Sequence, residues 1–231
     1  MWIFSSPENY SEMVEKISKC SFVVSLLLLY FLSCANQDFA SFLSKISFGI
    51  QYEFIGIQLT FAGVILPLII GIVEHIFKLH DKISSILKIR KKYDKKVIIS
   101  SFLKQLDFEK EISKLNDDNV SKLMSSCFYK YASSTNPVID KHNILLALNE
   151  WCWFWIILDT EVLLLLTGCL FIICQFSWLN LLYVFLSATF LSVLNCLIIK
   201  QCTVYTRAEI KDILHSEERK DDIKADIKNA L

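Results

Sequence analysis

Glycine and proline are scarce in this chain, with five glycines and three prolines among 231 residues. Loops that cradle phosphate depend on glycine, and the sequence contains neither a P-loop nor G-x-G-x-x-G. The nucleophile motif G-x-S-x-G and the zinc-protease motif H-E-x-x-H are also absent. The sequence therefore predicts no enzyme, and we expect neither a cofactor nor a bound metal.

Cysteine is present, but in no redox or metal-binding pattern. The eight cysteines include no C-x-x-C pair, and seven of them lie in or beside apolar segments. In such segments cysteine behaves as a small apolar residue. Cys34 and Cys174 are predicted to share the outer face of a membrane, so a bridge between them stays open as an alternative.

Long apolar runs dominate the chain, which is 54% hydrophobic with a mean hydropathy of +0.44. Blocks of about 20 apolar residues are long enough to cross a hydrocarbon core of about 30 Å as helices. We therefore expect an all-α polytopic membrane protein with four transmembrane helices and helical cytoplasmic extensions. The predicted spans are residues 20–34, 54–73, 151–174 and 181–199.

The third span carries two carboxylates. No charged residue occurs from Val162 to Ile199, so two helices must share that stretch. A helix over 162–174 alone would rise only about 20 Å, which is too short to cross. Starting the helix near Trp155 restores the length and places Asp159 and Glu161 inside the span.

Basic residues predict the orientation. Of the 24 lysines and arginines, only Lys45 falls in the predicted outer segments, 35–53 and 175–180. By the positive-inside rule, the other segments are cytoplasmic, and so are both termini. We expect a multi-pass membrane protein. The cytoplasmic segments are then residues 1–19, 74–150 and 200–231.

The amino-terminal part has two interpretations. Residues 1–19 are predicted to form a cytoplasmic or interfacial helix that leads into the first span. The alternative is a cleaved secretory signal with its apolar core at 21–33. Glu8, Glu12 and Glu15 argue against cleavage, because a signal begins with a basic region.

The cytoplasmic segments are predicted to be helical. The second span is expected to project straight into 74–150, and Asp118 to cap a helix over 118–132. Asp140 is expected to begin a helix that runs unbroken into the third span, and 200–231 to extend the fourth. Large apolar side chains are few there, so we expect a thin layer that copies of the chain would reinforce in a homo-oligomer.

Charged residues cluster at the predicted cytoplasmic boundary. Two residues apart on a helix, Asp159 and Glu161 face about 160° away from each other, so one neighbour cannot satisfy both. One interpretation pairs them with cations at the helix ends; the other makes them a ring of carboxylates at the mouth of an oligomeric, cation-selective pore. The candidate residues are Asp159, Glu161, Glu74, His75, Lys78 and Lys200.

His75 and His80 form an H-x4-H pattern that resembles the first histidine box of membrane fatty-acid desaturases. Those enzymes use more histidines than the four in this chain. On a straight helix the two side chains would also point about 140° apart. We therefore interpret them as polar residues at a helix exit, not as metal ligands.

Residues 88–96, "KIRKKYDKK", hold six cations in nine positions. Such a cluster beside a membrane is typical of contact with anionic lipid headgroups, or with a cytosolic partner protein. Nucleic acid is not expected, because no aromatic platform accompanies the charges. The residues are Lys88, Arg90, Lys91, Lys92, Lys95 and Lys96.

Small residues at helical spacing predict close helix–helix contact in lipid. Proline in the second span is expected to kink it. The packing candidates are Gly56, Thr60, Gly63 and Pro67 in the second span, and Ala188, Ser192 and Cys196 in the fourth.

The plan of four spans, internal termini, a central cytoplasmic region and a charged helical tail resembles small four-span membrane proteins of bacterial anti-phage systems, such as the membrane subunit of Kiwa. More distantly it is similar to large-pore channels of the connexin type. The resemblance implies an oligomeric effector that is triggered through its cytoplasmic helices and opens a pore or perturbs the membrane. The alternative is a non-conducting anchor that localises a cytosolic partner.

Overall fold

The computed structural model describes residues 5–48, 50–54, 57–174 and 178–230; for 51–54, 57–59, Cys174 and Asn180 it describes the backbone alone. The described chain is almost entirely helical, and it divides into two compact units. The membrane-helix unit consists mainly of Val14–His80 and Cys152–Leu197. The helical-core unit consists of Ser6–Met13, Asp81–Trp151 and Ile198–Leu231.

Three helices are long and apolar enough to cross a membrane, and a bent pair of helices would make a fourth. The bent pair consists of α3 (Phe61–Phe77) and α4 (Leu79–Leu87), which meet at 65°. The described chain is therefore consistent with three or four spans. The three long helices are α1 (Tyr10–Ala35), α8 (Lys141–Cys174) and α9 (Trp178–Ile213).

The amino-terminal helix is not separate from the first span. Helix α1 runs without a break from Tyr10 to Ala35, across the boundary between the predicted amino-terminal helix, 1–19, and the predicted first span, 20–34. No glycine or proline follows Pro7 in this stretch, so nothing stops the helix from propagating. Asn36 then caps α2 (Gln37–Ile46) by accepting a hydrogen bond from the Phe39 amide at 2.9 Å.

The predicted helix over 54–73 is wrong at its start. Two antiparallel strands, β1 (Gln51–Phe54) and β2 (Ile57–Thr60), lie there instead, and Gln51 pairs with Thr60. Aromatic and β-branched residues favour strands here, and apolar content alone does not separate a short strand from a helix. Thr60 then caps α3 by accepting from the Gly63 amide at 3.1 Å.

The predicted straight extension of this helix is also wrong. Helix α3 continues through Pro67, where the kink was expected, and ends at Phe77. The chain then turns at Lys78, which has a left-handed backbone with φ 48°. This conformation is uncommon for a residue with a side chain, so the lysine gave no sequence signal for a break.

Two glycines allow close helix contacts in the membrane-helix unit. The Ser18 hydroxyl of α1 donates to the Gly71 carbonyl of α3 at 2.7 Å. A Cβ on Gly168 of α8 would lie 2.8 Å from both methyl carbons of Val184 on α9. Only glycine permits this approach without moving Val184.

The helical-core unit is not the thin layer predicted from the sequence. It has a continuous apolar core in which Leu103, Ile210, Ile213 and Ile223 are fully buried. Besides parts of the long helices, it contains α5 (Ile89–Tyr93), a π-helix (Asp94–Ile99), α6 (Ser100–Gln105), a 3-10 helix (Glu109–Lys114), α7 (Asp117–Leu123), a second π-helix (Met124–Tyr129) and α10 (Glu217–Ala230).

Caps set several helix boundaries in this unit. Asp140 accepts from the His142 amide at 2.9 Å, and α8 begins beside it, as predicted. Asn116, not Asp118, caps α7. The predicted extension of the fourth span through 200–231 is interrupted, because α9 ends at Ile213 and a separate helix, α10, follows. Arg219 of α10 donates to two carbonyls in the last turn of α9.

Candidate functional site: a buried polar cluster at a broken helix

The break at Lys78 brings Glu74 and His80 together. His80 Nδ1 lies 2.5 Å from Glu74 Oε1, and both side chains are almost completely buried. On a continuous helix, residues six positions apart would point away from each other. The change of direction at Lys78 is therefore what allows the pair to form.

The other polar residues of this turn lie outside the pair. His75 and Lys78 are exposed, so they are not part of the buried contact between Glu74 and His80. The two histidines do not share a site, because His80 is buried and His75 is not. Within the described residues, no group of three or more His, Cys, Asp and Glu side chains is arranged to hold a metal ion.

Asp159 is buried in the same unit. Its side chain is 6% exposed, and neither carboxylate oxygen meets a donor at hydrogen-bonding geometry. Its polar neighbours are the Glu74 carboxylate of α3, which repels negative charge on Asp159, and the Ser21 hydroxyl of α1, which favours it. The predicted pairing of Asp159 with Lys78, His75 or Lys200 is not found among the described contacts, because neither carboxylate oxygen has a hydrogen-bond partner.

Glu161 lies on a different side of α8. The Ser192 hydroxyl of α9 donates to Glu161 Oε1 at 2.5 Å. Glu161 is half-buried and Ser192 is exposed, so this pair lies at the surface of the membrane-helix unit. The two carboxylates thus have different environments: Asp159 faces the interior, and Glu161 faces outward.

Lys16 is a buried cation that the sequence analysis missed. It is 1% exposed, its ammonium lies 4.4 Å from the centre of the Trp153 ring, and it makes no hydrogen bond. A cation over an indole face is held by the ring quadrupole. The three tryptophans around 151–155 were the available signal, because a tryptophan cluster offers such faces. Trp155 also packs against His80, with ring centres 5.9 Å apart.

The small residues predicted for helix packing have several roles. Thr60 and Gly63 belong to the cap of α3, and Gly56 lies outside the described residues. Pro67 is buried in α3. Ala188 is half-buried, while Ser192 and Cys196 are exposed on α9. Cys34 is an exposed free cysteine, and the side chain of Cys174 lies outside the described part of the chain.

The basic cluster is divided between internal and external contacts. Arg90 donates to the Tyr129 hydroxyl at 3.0 Å, and Lys95 donates to the Leu115 carbonyl at 2.6 Å. Lys91 forms an exposed ion pair with Asp117 at 3.5 Å. These three residues help to hold the helical-core unit together. The exposed side chains without such contacts in the described structure are Lys88, Lys92 and Lys96.

Asp94 lies inside this cluster and provides a pH test. Burial raises the pKa of its carboxyl from 3.8 to about 6, although the nearby Arg90 lowers it. The folded state therefore binds a proton more tightly than the unfolded state. The contribution of Asp94 to stability is therefore fully present below about pH 4 and is lost as the pH rises through about 6.

We expect Asp94→Asn to remove this decline. The wild type should lose about 1–2 kcal/mol across the window, because a tenfold change in proton affinity is worth about 1.4 kcal/mol and partial exposure screens the effect. Urea unfolding of the detergent-solubilised protein at several pH values measures it. Asp117→Asn, at an exposed carboxyl, is the control and should retain the decline. Identical profiles for wild type and Asp94→Asn would contradict the assignment.

Comparison with known proteins places the chain in a family. A family model described as the YmfE protein family matches residues 9–229. The Escherichia coli (strain K12) protein YmfE, described as uncharacterized, is 25% identical over 185 residues, which cover 75% of this chain and 74% of that protein. No solved structure matches the chain. Because the matched region includes both units, the chain belongs to the YmfE protein family.

Proposed function

We propose that this protein is an oligomeric four-span effector of the bacterial inner membrane, with both termini in the cytoplasm. The helical-core unit receives a partner protein or another trigger, and the membrane helices respond by conducting cations or perturbing the bilayer. An anti-phage role is part of the proposal and depends on the resemblance of its architecture to the membrane proteins of such systems.

The outward-facing Glu161 is the observation that supports this proposal best. An ionised carboxylate facing hydrocarbon is costly, and such residues normally face a bundle interior or a water-filled cavity. Ser192 supplies one hydrogen bond, which leaves most of the carboxylate's hydration to be replaced. If several copies place their Glu161 side chains in a ring around a water-filled pore, the water would supply that hydration. Such a ring of carboxylates would also favour cations.

The surface of α9 supports assembly. Only 6% of its most apolar 18-residue window is buried within the chain. Ala188, Ser192 and Cys196 recur every four positions, so they share one side of the helix. Small residues at this spacing allow backbones of neighbouring copies to approach closely. Glu161 bonds to the middle residue of that stripe, which would bring the carboxylate to the same interface.

Neutralising Glu161 tests the proposal. We expect Glu161→Gln to lower cation flux into proteoliposomes severalfold, and to weaken any depolarisation of expressing cells, because the ring loses its charge. Ser192→Ala should have a smaller effect in the same direction. Asp38→Asn is the control, because it removes an exposed carboxylate on α2. Equal flux in Glu161→Gln and wild type, at equal protein level, would reject the conducting mechanism.

A non-conducting anchor is the second candidate, and the helical-core unit favours it. That unit has its own apolar core and presents Lys88, Lys92 and Lys96 outward. A folded cytoplasmic unit with exposed cations could hold an acidic partner protein at the membrane. This alternative predicts no flux from the wild type, together with partner capture that is lost when the three lysines are replaced by glutamine.

A further inference from the structure

The surroundings of Asp159 form a closed polar site inside the membrane-helix unit. Three helices contribute one polar side chain each: Asp159 from α8, Glu74 from α3 and Ser21 from α1. They are 6%, 2% and 4% exposed. Sites this well enclosed exclude bulk water, so the protein itself must satisfy whatever charge they hold.

The described part of the protein supplies no hydrogen bond or counter-ion to the Asp159 carboxylate. Both of its oxygens are without a hydrogen bond, and Ser21, although close, does not reach bonding geometry. Its charged neighbour is Glu74, which would repel a second negative charge. A buried, ionised carboxylate with no donor and a like-charged neighbour is strongly disfavoured.

The cations of this region are already engaged elsewhere. His80 on α4 contacts Glu74, and Lys16 on α1 lies over Trp153. Neither cation is among the groups that influence the charge of Asp159. Other titratable side chains at this end of the unit include Glu15, Lys19 and Cys20 on α1, His75 on α3, Lys78 at the turn, and Cys152 and Glu161 on α8.

We propose that Asp159 is a proton-binding site of the membrane-helix unit, holding a proton while α1, α3 and α8 are packed. The neutral acid needs no counter-ion and tolerates Glu74 as a neighbour. It can also donate a hydrogen bond to Ser21 or Glu74 after a small side-chain adjustment. A hard metal cation would instead require six or more converging oxygen ligands. Loss of the proton would place two carboxylates side by side and favour separation of the helices.

The proposal does not depend on oligomer formation or conduction, because it concerns one chain in its packed state. Infrared spectroscopy of the full-length protein in detergent tests it directly. We expect the wild type at neutral pH to show the C=O stretching band of a protonated carboxylic acid, and the band to disappear reversibly at high pH. Absence of the band would overturn the proposal even if no variant could be purified.

Variants assign the band. Glu209 on α9 is a second buried carboxyl, and burial raises its pKa to about 8, so the band is assigned in a Glu209→Gln background. There, Asp159→Asn should remove it, while Asp118→Asn, at an exposed carboxylate of α7, should retain it. A band that survives in Asp159→Asn but is lost in Glu74→Gln would place the proton on Glu74 and overturn the assignment. A band that sodium or potassium suppresses in the wild type would identify a metal cation as the ligand and equally overturn it.

The thermal midpoint gives an independent readout. Asparagine has the shape of the neutral acid and carries no charge, so Asp159→Asn should melt at or above the wild-type temperature. An ionised Asp159 that is paired in the fold would give the opposite result, because its substitution would leave a partner unsatisfied. A lowered midpoint, or failure of Asp159→Asn to fold, would therefore contradict the proposal.

Discussion

Replacing His80 by alanine is expected to lower the free energy of unfolding by about 3–5 kcal/mol, because it leaves Glu74 buried without its partner. The two groups lie 2.5 Å apart and are almost inaccessible to water. Water therefore cannot take the place of the imidazole when it is removed. The measurement is chemical or thermal unfolding of the full-length protein in detergent, with helix content as the signal.

An exposed pair provides the matched control. Lys114 lies 2.8 Å from Glu111, but the lysine side chain is 66% exposed, so Lys114→Ala should cost at most about 1 kcal/mol. In the double variant Glu74→Leu/His80→Ala, neither member of the pair is left buried without the other, so its loss should be smaller than the sum of the two single losses. Additive losses, or equal effects of His80→Ala and Lys114→Ala, would show that the contact does not stabilise the fold.

This pair also shows where sequence reasoning fails. Glu74 and His80 are six residues apart, and helical periodicity places them on different faces. The pair exists because Lys78 adopts a left-handed backbone, a conformation for which glycine or asparagine would have been the sequence signal. Packing against other helices determines where α3 ends, and no local sequence pattern around Lys78 indicates it. The exposed His75 and Lys78 were chosen as partners for the same reason.

The two carboxylates of α8 were more predictable. Residues two positions apart on a helix cannot face the same neighbour, and the structure has Asp159 inside and Glu161 at the surface. The long apolar helices were likewise evident, because about 20 apolar residues are a strong signal. Which partner each carboxylate meets depends on α1 and α9, and no spacing within α8 specifies it.

The core of the second unit was missed for another physical reason. Its segments 94–99 and 124–129 are π-helical, and a π-helix shifts the faces of all residues that follow it. Apolar residues that fall out of the 3.6-residue period then look scattered in the sequence. In the structure Ile99, Leu103 and Leu123 converge on one core. The thin layer was predicted because large apolar side chains were counted as few, and their convergence from separate segments on one core was not expected.

That core leads to the second large effect: Leu103→Ala should cost about 2–5 kcal/mol. Leu103 is fully buried in α6 and packs in the same cluster as Phe102 and Ile210. Truncation removes the transfer energy of the lost methyl groups and leaves a cavity that rigid neighbours fill only in part. Amide hydrogen exchange of the intact protein measures the loss within this unit, because exchange reports the free energy of local opening.

Lys104→Ala is the matched control, because it removes the adjacent side chain on the exposed side of α6. Lys104 pairs with Glu109 at 3.6 Å, but both side chains are more than half exposed, so its loss should change protection little. If copies of the chain were needed to hold a thin layer together, Leu103→Ala would lower protection only as far as it dissociated the oligomer. A core internal to one chain predicts the same loss at every protein concentration. Protection that depends on protein concentration in Leu103→Ala would instead show that assembly of copies stabilises this unit, as the thin-layer prediction requires.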